Sequence, residues 1–114
     1  MAAPERPPLV GVLGGMGPLA TVDFLAKLVE ETPAARDQEH VPTLTWSVPQ
    51  VPDRQQALAG TGTSPLPAML AGIAQLNAAG ATRIAIACST AHLWFDELAA
   101  ASSAPLLHIV DATL

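Results

Sequence analysis

The sequence is poor in cysteine and in charged residues. It has one cysteine among 114 residues, and 13% of the residues are charged, with five Lys and Arg against ten Asp and Glu. A single cysteine excludes an internal disulfide framework and a zinc site built from several cysteines. The basic residues do not cluster and the formal net charge is −5. This balance argues against nucleic acid or an anionic membrane as the partner.

Long apolar segments are also absent, although 50% of the residues are hydrophobic. No run approaches the roughly 18–20 consecutive apolar residues of a membrane span. The first eight residues include three prolines and lack the apolar core of a signal peptide. We therefore expect a short flexible leader over residues 1–8 and one domain over residues 9–114. A cytoplasmic, reducing compartment is the expected location.

Short β-rich segments alternate with helical patterns along the chain. The predicted strands are residues 9–13, 43–48, 83–87 and 105–110. Three helices are predicted. The first begins near Pro18 and stops by Thr32, the second runs from Leu66 to Ala79 before Gly80, and the third runs from Ala91 to Ala101. A helical turn is predicted near Gln55–Leu58. The apolar positions expected to face the core are Leu19, Val22, Leu25, Ala26 and Val29 in the first helix, Leu66, Met69, Leu70, Ile73 and Leu76 in the second, and Leu93, Trp94 and Leu98 in the last.

The order β-α-β-α-β-α-β predicts an α/β fold, a three-layer arrangement around a parallel sheet with flavodoxin-like connections. Open sheets of this kind bind ligands outside the carboxyl ends of their strands. Three segments follow those ends, namely Gly14–Pro18, Pro49–Arg54 and Cys88–Thr90. If the strands are ordered 2-1-3-4, the first and third segments face each other across one crevice.

The glycine-rich segment after the first strand has several interpretations. Residues 15–20 match G-x-G-x-x-A between a strand and a helix, which is typical of dinucleotide binding. However, the second predicted strand ends without the acidic residue that binds ribose, and no Gly-Lys-Ser/Thr occurs. A dinucleotide site, a plain tight turn and a small anion held at the helix start remain alternatives.

Cys88 lies at the end of a predicted buried strand, just before a predicted helix. The partial positive charge of a helix N-terminus favours a thiolate. Ser89 and Thr90 are suited to cap that helix or to donate hydrogen bonds to a ligand. The alternative is an inert buried cysteine with two ordinary capping residues. His92, four residues on, is equally a packing or capping side chain.

Arg54 follows the second predicted strand at the same edge. Its guanidinium is a natural bidentate partner for a carboxylate. The alternative is a surface arginine paired with Asp53. His40 and His108 have no ligand-type partners at metal spacing, so they are interpreted as structural or solvated and no metal is expected.

Five segments, in order, resemble the aspartate/glutamate racemase family, specifically its aspartate racemase branch. Cys88-Ser89-Thr90-Ala91-His92 is similar to the family's catalytic Cys-Asn-Thr-Ala-His. The other segments are Gly11–Thr21, which looks like the family's opening, Arg36–His40, Pro49–Arg54, and His108–Thr113, which looks like the stretch leading into the family's second half. The resemblance covers about residues 9–114.

The resemblance implies racemisation of an acidic amino acid, aspartate or glutamate, without pyridoxal phosphate or any other cofactor. The family uses two cysteines on opposite faces of the substrate. One thiolate removes the α-proton and the other thiol returns a proton. By this likeness Cys88 is one of the catalytic pair. The substrate-binding residues implied are Met16, Gly17, Gln50, Arg54, Ser89 and Thr90.

Two departures from the family qualify what is implied. Ser89 stands where the family usually has Asn, and a hydroxyl lacks the paired donor and acceptor of an amide. Family members are also longer, with two similar α/β halves, and the second cysteine and a substrate-binding lysine belong to the second half. The chain therefore resembles the N-terminal half of a two-domain racemase fold and is expected not to racemise alone. The alternative function is a non-catalytic dicarboxylate-binding module, and an exposed interdomain face leads us to expect homo-oligomers.

Overall fold

A computed structural model describes residues 7–108 of the chain. Most of the predicted leader, residues 1–6, lies outside the described residues. So do residues 109–114, which hold the end of the predicted fourth strand and most of the last segment of the racemase resemblance.

Four parallel strands form one sheet, and the predicted α/β fold is confirmed. The strands are β1 (Val10–Gly14), β2 (Thr43–Ser47), β3 (Arg83–Ile86) and β4 (Leu106–Leu107). Their order across the sheet is β2-β1-β3-β4. The register sets Val12 beside Thr45 on one side and beside Ala85 on the other. The carboxyl ends of β1 and β3 are therefore neighbours.

Within residues 7–108 four α-helices connect the strands, and the predicted ones appear within a few residues of their expected bounds. They are α1 (Pro18–Glu31), α2 (Arg54–Leu58), α3 (Leu66–Ala78) and α4 (Phe95–Ala101), with 3-10 helices at Asp37–Glu39 and Thr90–Trp94. Gly80 follows α3 with a φ of +91°, the left-handed conformation that ends a helix at low cost for glycine. Within residues 7–108 no helix is both long and apolar enough to cross a bilayer.

The last predicted helix differs from the structure at its start. Residues Thr90–Trp94 form a 3-10 helix and α4 begins only at Phe95. The His92 backbone N–H donates to the Ser89 carbonyl at 3.1 Å, three residues back. The carbonyl four residues back, that of Cys88, is bonded instead to Nδ1 of the His92 side chain at 2.8 Å. At this position the side chain bonds to the carbonyl four residues back, and the backbone N–H bonds to the carbonyl three residues back.

The main hydrophobic core lies between the sheet and the helices α3 and α4, which pack against each other on one face. Side chains alternate along each strand, so β1 and β3 offer their larger apolar residues to this face. The buried members of this core include Leu13, Met69, Ile73, Leu76, Ile84, Ile86 and Leu98. Leu98 and Trp94 pack as predicted, whereas Leu93 is 62% exposed. Leu93 belongs to the 3-10 helix, whose tighter turn carries it away from the face that α4 buries.

Helix α1, on the other side of the sheet, turns a different face inward from the one predicted. Leu19, Val22 and Val29 are 84%, 61% and 56% exposed, and Ala26 is exposed as well. The face directed at the sheet consists of Thr21, Phe24, Leu25 and Leu28, of which only Thr21 is fully buried. This face is displaced by one residue, about 100° of rotation, from the predicted face.

The cause of this rotation is a polar anchor. Thr21 Oγ1 accepts a hydrogen bond from the Gly15 N–H at 2.8 Å and donates to the Gly17 carbonyl at 3.2 Å. A buried polar side chain needs such partners, because leaving it unpaired costs about 1–3 kcal/mol. The hydroxyl therefore faces the sheet edge, and Leu19, Val22 and Val29 face outward.

Candidate functional site

The three predicted segments meet at the carboxyl edge of the sheet. The Ala87 N–H donates to the Leu13 carbonyl at 2.9 Å, which joins the ends of β3 and β1. The Val48 N–H donates to the Gly14 carbonyl at 3.4 Å, which joins the ends of β2 and β1. Helix α2 lies against the 3-10 helix Thr90–Trp94. Arg54 and the segment that follows Cys88 thus belong to elements in contact.

The conformation of the glycine-rich segment depends on its contacts with Val48 and Thr21. Gly15 has a φ of +92°, and a Cβ there would collide with the backbone of Val48. The residue must be glycine for both reasons. Its N–H is used by Thr21 Oγ1, so this donor is not available to an anion. A dinucleotide-type phosphate cradle therefore lacks one of the backbone donors that it needs.

The residues that lie beneath the carboxyl edge of the sheet are apolar. Met16 and Val51, from the first two segments, and Ala91, which directly follows the third, are buried in the same hydrophobic cluster, and Cys88 packs against it. Met16 is only 3% exposed, so its side chain belongs to the core and only its backbone can contact a ligand. Gly17 is half-buried, while Gln50 is exposed.

Arg54 is folded back over its own segment. Its Nη1 donates to the Val51 carbonyl at 3.3 Å and to the Pro52 carbonyl at 3.2 Å. Its Nε is buried and has no hydrogen-bond partner among the described residues. A buried donor without a partner is costly, and a carboxylate is the acceptor that a guanidinium best matches.

The alternative prediction, an ion pair between Arg54 and Asp53, is wrong. Asp53 is the N-cap of α2, and its carboxylate accepts hydrogen bonds from the backbone N–H groups of Gln55 at 2.8 Å and Gln56 at 3.0 Å. Aspartate is among the best N-cap residues, because its oxygen satisfies N–H groups that have no partner within the helix. The capping role takes the carboxylate away from the guanidinium.

Cys88 is a half-buried free thiol directly after β3. Ser89, which follows, is exposed, and Thr90 is half-buried. The α-helix start that was predicted to favour the thiolate is not beside the sulfur, because a five-residue 3-10 helix intervenes before α4. Neither Ser89 nor any other side chain caps that 3-10 helix. The hydroxyls of Ser89 and Thr90 are therefore not used as caps here.

The contacts of the His92 ring with Phe95 and His108 at this edge were not predicted. The His92 ring is stacked on Phe95 at 6.1 Å between centroids and meets His108 edge-on at 5.0 Å. His108, which follows β4, also meets Phe95 at 4.7 Å. No signal in the sequence indicated this position, because the predicted fourth strand, residues 105–110, included His108, whereas β4 ends at Leu107. No group of three or more possible metal ligands occurs within residues 7–108.

Comparisons with known proteins agree on one family. The model of the family described as Asp/Glu/hydantoin racemase matches residues 13–114. The chain is 29% identical over 110 residues to the broad specificity amino-acid racemase RacX of Bacillus subtilis (strain 168), covering 93% of this chain and 48% of RacX.

Solved structures give the same answer. An aspartate racemase from Picrophilus torridus superposes with a TM-score of 0.86 at 40% identity, over 94% of this chain and 46% of that chain. A putative Asp/Glu racemase from Yersinia pestis superposes with a TM-score of 0.72 at 24% identity, over 93% and 46% of the two chains. The second likeness shows the fold alone. The chain spans about half the length of these relatives, and it belongs to the Asp/Glu/hydantoin racemase family.

Proposed function

We propose that this chain forms one half of a cofactor-independent racemase site for an acidic amino acid. In this site the Cys88 thiolate removes the α-proton and the Arg54 guanidinium binds a carboxylate of the substrate. The support is the chain's family and its similarity to an aspartate racemase and to a broad specificity amino-acid racemase. Aspartate and glutamate are the substrates that this likeness favours.

The observation that carries the proposal is the buried Nε of Arg54, which has no partner among residues 7–108. Arg54 opens α2, and α2 lies against the 3-10 helix that follows Cys88. A carboxylate bound by Arg54 would therefore lie on the cysteine's side of the sheet edge. The further substrate contacts that we propose come from Gln50, from the backbone of Met16 and Gly17, and from the backbone and hydroxyls of Ser89 and Thr90.

The proposed proton transfer conserves charge and atoms. The α-proton moves to the Cys88 sulfur, the thiolate becomes a thiol, and the electron pair of the C–H bond is left on the substrate as a carbanion conjugated with its carboxylate. Guanidinium and N–H donors stabilise this developing negative charge. Return of a proton from the same sulfur restores the original configuration.

Inversion needs a proton donor on the opposite face of the α-carbon. The 114-residue sequence contains one cysteine, so a second thiol has to come from another polypeptide segment. We therefore expect the 114-residue chain to exchange the α-proton of one enantiomer but not to racemise. Formation of D-aspartate from L-aspartate by the purified chain, followed by chiral chromatography, would contradict this expectation.

A non-catalytic dicarboxylate-binding module is the second candidate, and the same single cysteine favours it. Both candidates require Arg54 to bind a carboxylate. Calorimetric titration with L-aspartate tests that shared step, with Arg54→Ala abolishing the heat of binding and Arg54→Lys as the control that keeps the charge but not the bidentate geometry. Absence of heat for the unaltered chain at millimolar aspartate would count against both candidates. Only the racemase half-site also exchanges the α-proton with solvent.

A further inference from the structure

His92 makes a defined hydrogen bond to the backbone of the proposed catalytic cysteine. Its Nδ1 lies 2.8 Å from the Cys88 carbonyl oxygen. A carbonyl oxygen only accepts, so Nδ1 carries the proton and donates.

Aromatic contacts hold the donating ring in place. The His92 and Phe95 rings are nearly parallel, 7° apart, and the His108 ring stands at 66° to both. His92 is placed by the 3-10 helix and Phe95 by the start of α4, while His108 follows β4. Contacts from separate elements restrict the rotation of the imidazole, so the direction of its N–H is set before any ligand arrives.

The carbonyl that His92 holds belongs to the peptide group that joins Cys88 to Ser89. A peptide group is planar, so fixing its oxygen also fixes the direction of the Ser89 N–H on the opposite side. That N–H is one of the donors that the proposed function assigns to the substrate carboxylate. The same bond restrains the backbone torsion ψ of Cys88, the residue that carries the thiol.

We propose that His92 is a positioning residue of the site, which acts through the Cys88–Ser89 peptide plane and does not itself touch the substrate. This inference rests on the proposed function for its link to substrate. His108 and Phe95 support the ring through their contacts with it.

The test compares His92→Asn with His92→Phe. The Asn amide nitrogen sits two bonds from Cβ, as Nδ1 does, so this variant keeps the donor and removes the ring. His92→Phe keeps a ring and removes the donor. The two measurements are the Kd for L-aspartate by calorimetry and the rate of Cys88 alkylation by iodoacetamide at fixed pH. Circular dichroism checks that each variant is folded.

We expect His92→Phe to weaken aspartate binding by about tenfold, the effect of losing one hydrogen bond, and to change the alkylation rate. His92→Asn should stay within a few-fold of the unaltered chain in both measurements. Equal impairment of the two variants would overturn the proposal, because it would mean that the ring matters only for packing. Unchanged behaviour of both would overturn it as well.

Two further measurements apply if a variant does not fold or if the unaltered chain binds no aspartate. If His92→Phe does not fold, His92→Leu takes its place as the variant without a donor, with the same expected loss. If the unaltered chain binds no aspartate, the proposed function fails, and the alkylation rates alone decide the role of His92. In that case equal alkylation rates in His92→Asn and the variant without a donor would overturn the positioning role.

Discussion

The two faces of the sheet are covered in different ways. On one face α3 and α4 bury large apolar side chains, such as Ile73 and Leu76, against Leu13 and Ile84. On the other face the strands offer the smaller Val12 and Ala85, which are buried outside that cluster. Helix α1 is fastened there by hydrogen bonds of Thr21 to the glycine-rich segment.

This difference shows that an amphipathic pattern identifies the apolar stripe of a helix but not its partner. In α3 the stripe and the buried face coincide. In α1 they are about one residue apart, because a buried hydroxyl sets the rotation of the helix. The outcome ties α1 to the geometry of the proposed site and leaves Leu19, Val22 and Val29 exposed.

The largest expected effect is a difference in the free energy of unfolding between two Leu→Ala variants, one on each face of the sheet. We expect Leu76→Ala in α3 to lower the free energy of unfolding by about 2–5 kcal/mol, because the side chain is 1% exposed and leaves a cavity. Leu19→Ala in α1 should change it by less than about 0.5 kcal/mol, because that side chain is 84% exposed. Urea denaturation measures both. Similar losses in the two variants would contradict the unequal burial of the faces.

The hydrogen bonds of α1 give the next largest effect. Thr21→Val keeps the shape of the side chain and leaves the buried Gly15 N–H without its partner, so we expect a loss of about 1–3 kcal/mol in the free energy of unfolding. Thr21→Ser keeps the hydroxyl and should lose much less. Aspartate binding should weaken in Thr21→Val as the glycine-rich segment loosens. If serine and valine are equally destabilising, the anchor is apolar packing and the comparison of the two faces fails.

A smaller effect concerns association. We expect the chain to form homo-oligomers through exposed apolar surface such as the Val22 and Val29 side of α1. The double variant Val22→Lys with Val29→Lys should shift sedimentation towards the monomer while leaving the free energy of unfolding nearly unchanged. A clean monomer for the unaltered chain in ultracentrifugation would contradict the expected association.

The smallest effect is electrostatic and lies on the exposed side of α1. The hydrogen bond from Lys27 to Asp23, with the attraction of the same carboxylate, raises the pKa of Lys27 above its usual 10.5. A raised lysine pKa stabilises the fold below the unfolded value, and this contribution is lost as the pH rises through the folded value. Thermal unfolding of Lys27→Met should therefore show slightly less alkaline destabilisation than the unaltered chain. Lys27→Arg keeps the pair but stays protonated, so it should also lose this alkaline destabilisation while Lys27→Met alone lacks the pair at neutral pH. Identical alkaline curves for all three proteins would contradict a contribution of the pair.

Much of the architecture could be predicted from the sequence because it depends on local signals. Buried strands, the glycine after α3 and the proline at the start of α1 each act within a few residues. The meeting of the three segments follows from the rule that parallel strands present their carboxyl ends at one edge. These features needed no knowledge of individual side-chain partners.

The parts that could not be predicted depend on competition between partners. The rotation of α1 goes with a hydrogen bond that the Thr21 hydroxyl accepts from Gly15, and the 3-10 helix before α4 goes with one that the His92 imidazole donates to the Cys88 carbonyl. The Asp53 carboxylate could pair with Arg54 or cap α2, and in the structure it caps α2. Sequence spacing shows that such bonds are within reach but not which of them forms.

Exchange of the α-proton is the most direct test of whether Cys88 is the base of a racemase half-site. L- and D-aspartate are incubated with the chain in deuterated water and the Cα–H signal is followed by NMR, with Cys88→Ser as the control. We expect exchange from one enantiomer, with its configuration retained, and loss of exchange in the control. No exchange from either enantiomer would contradict the claim and leave carboxylate binding as the function to examine.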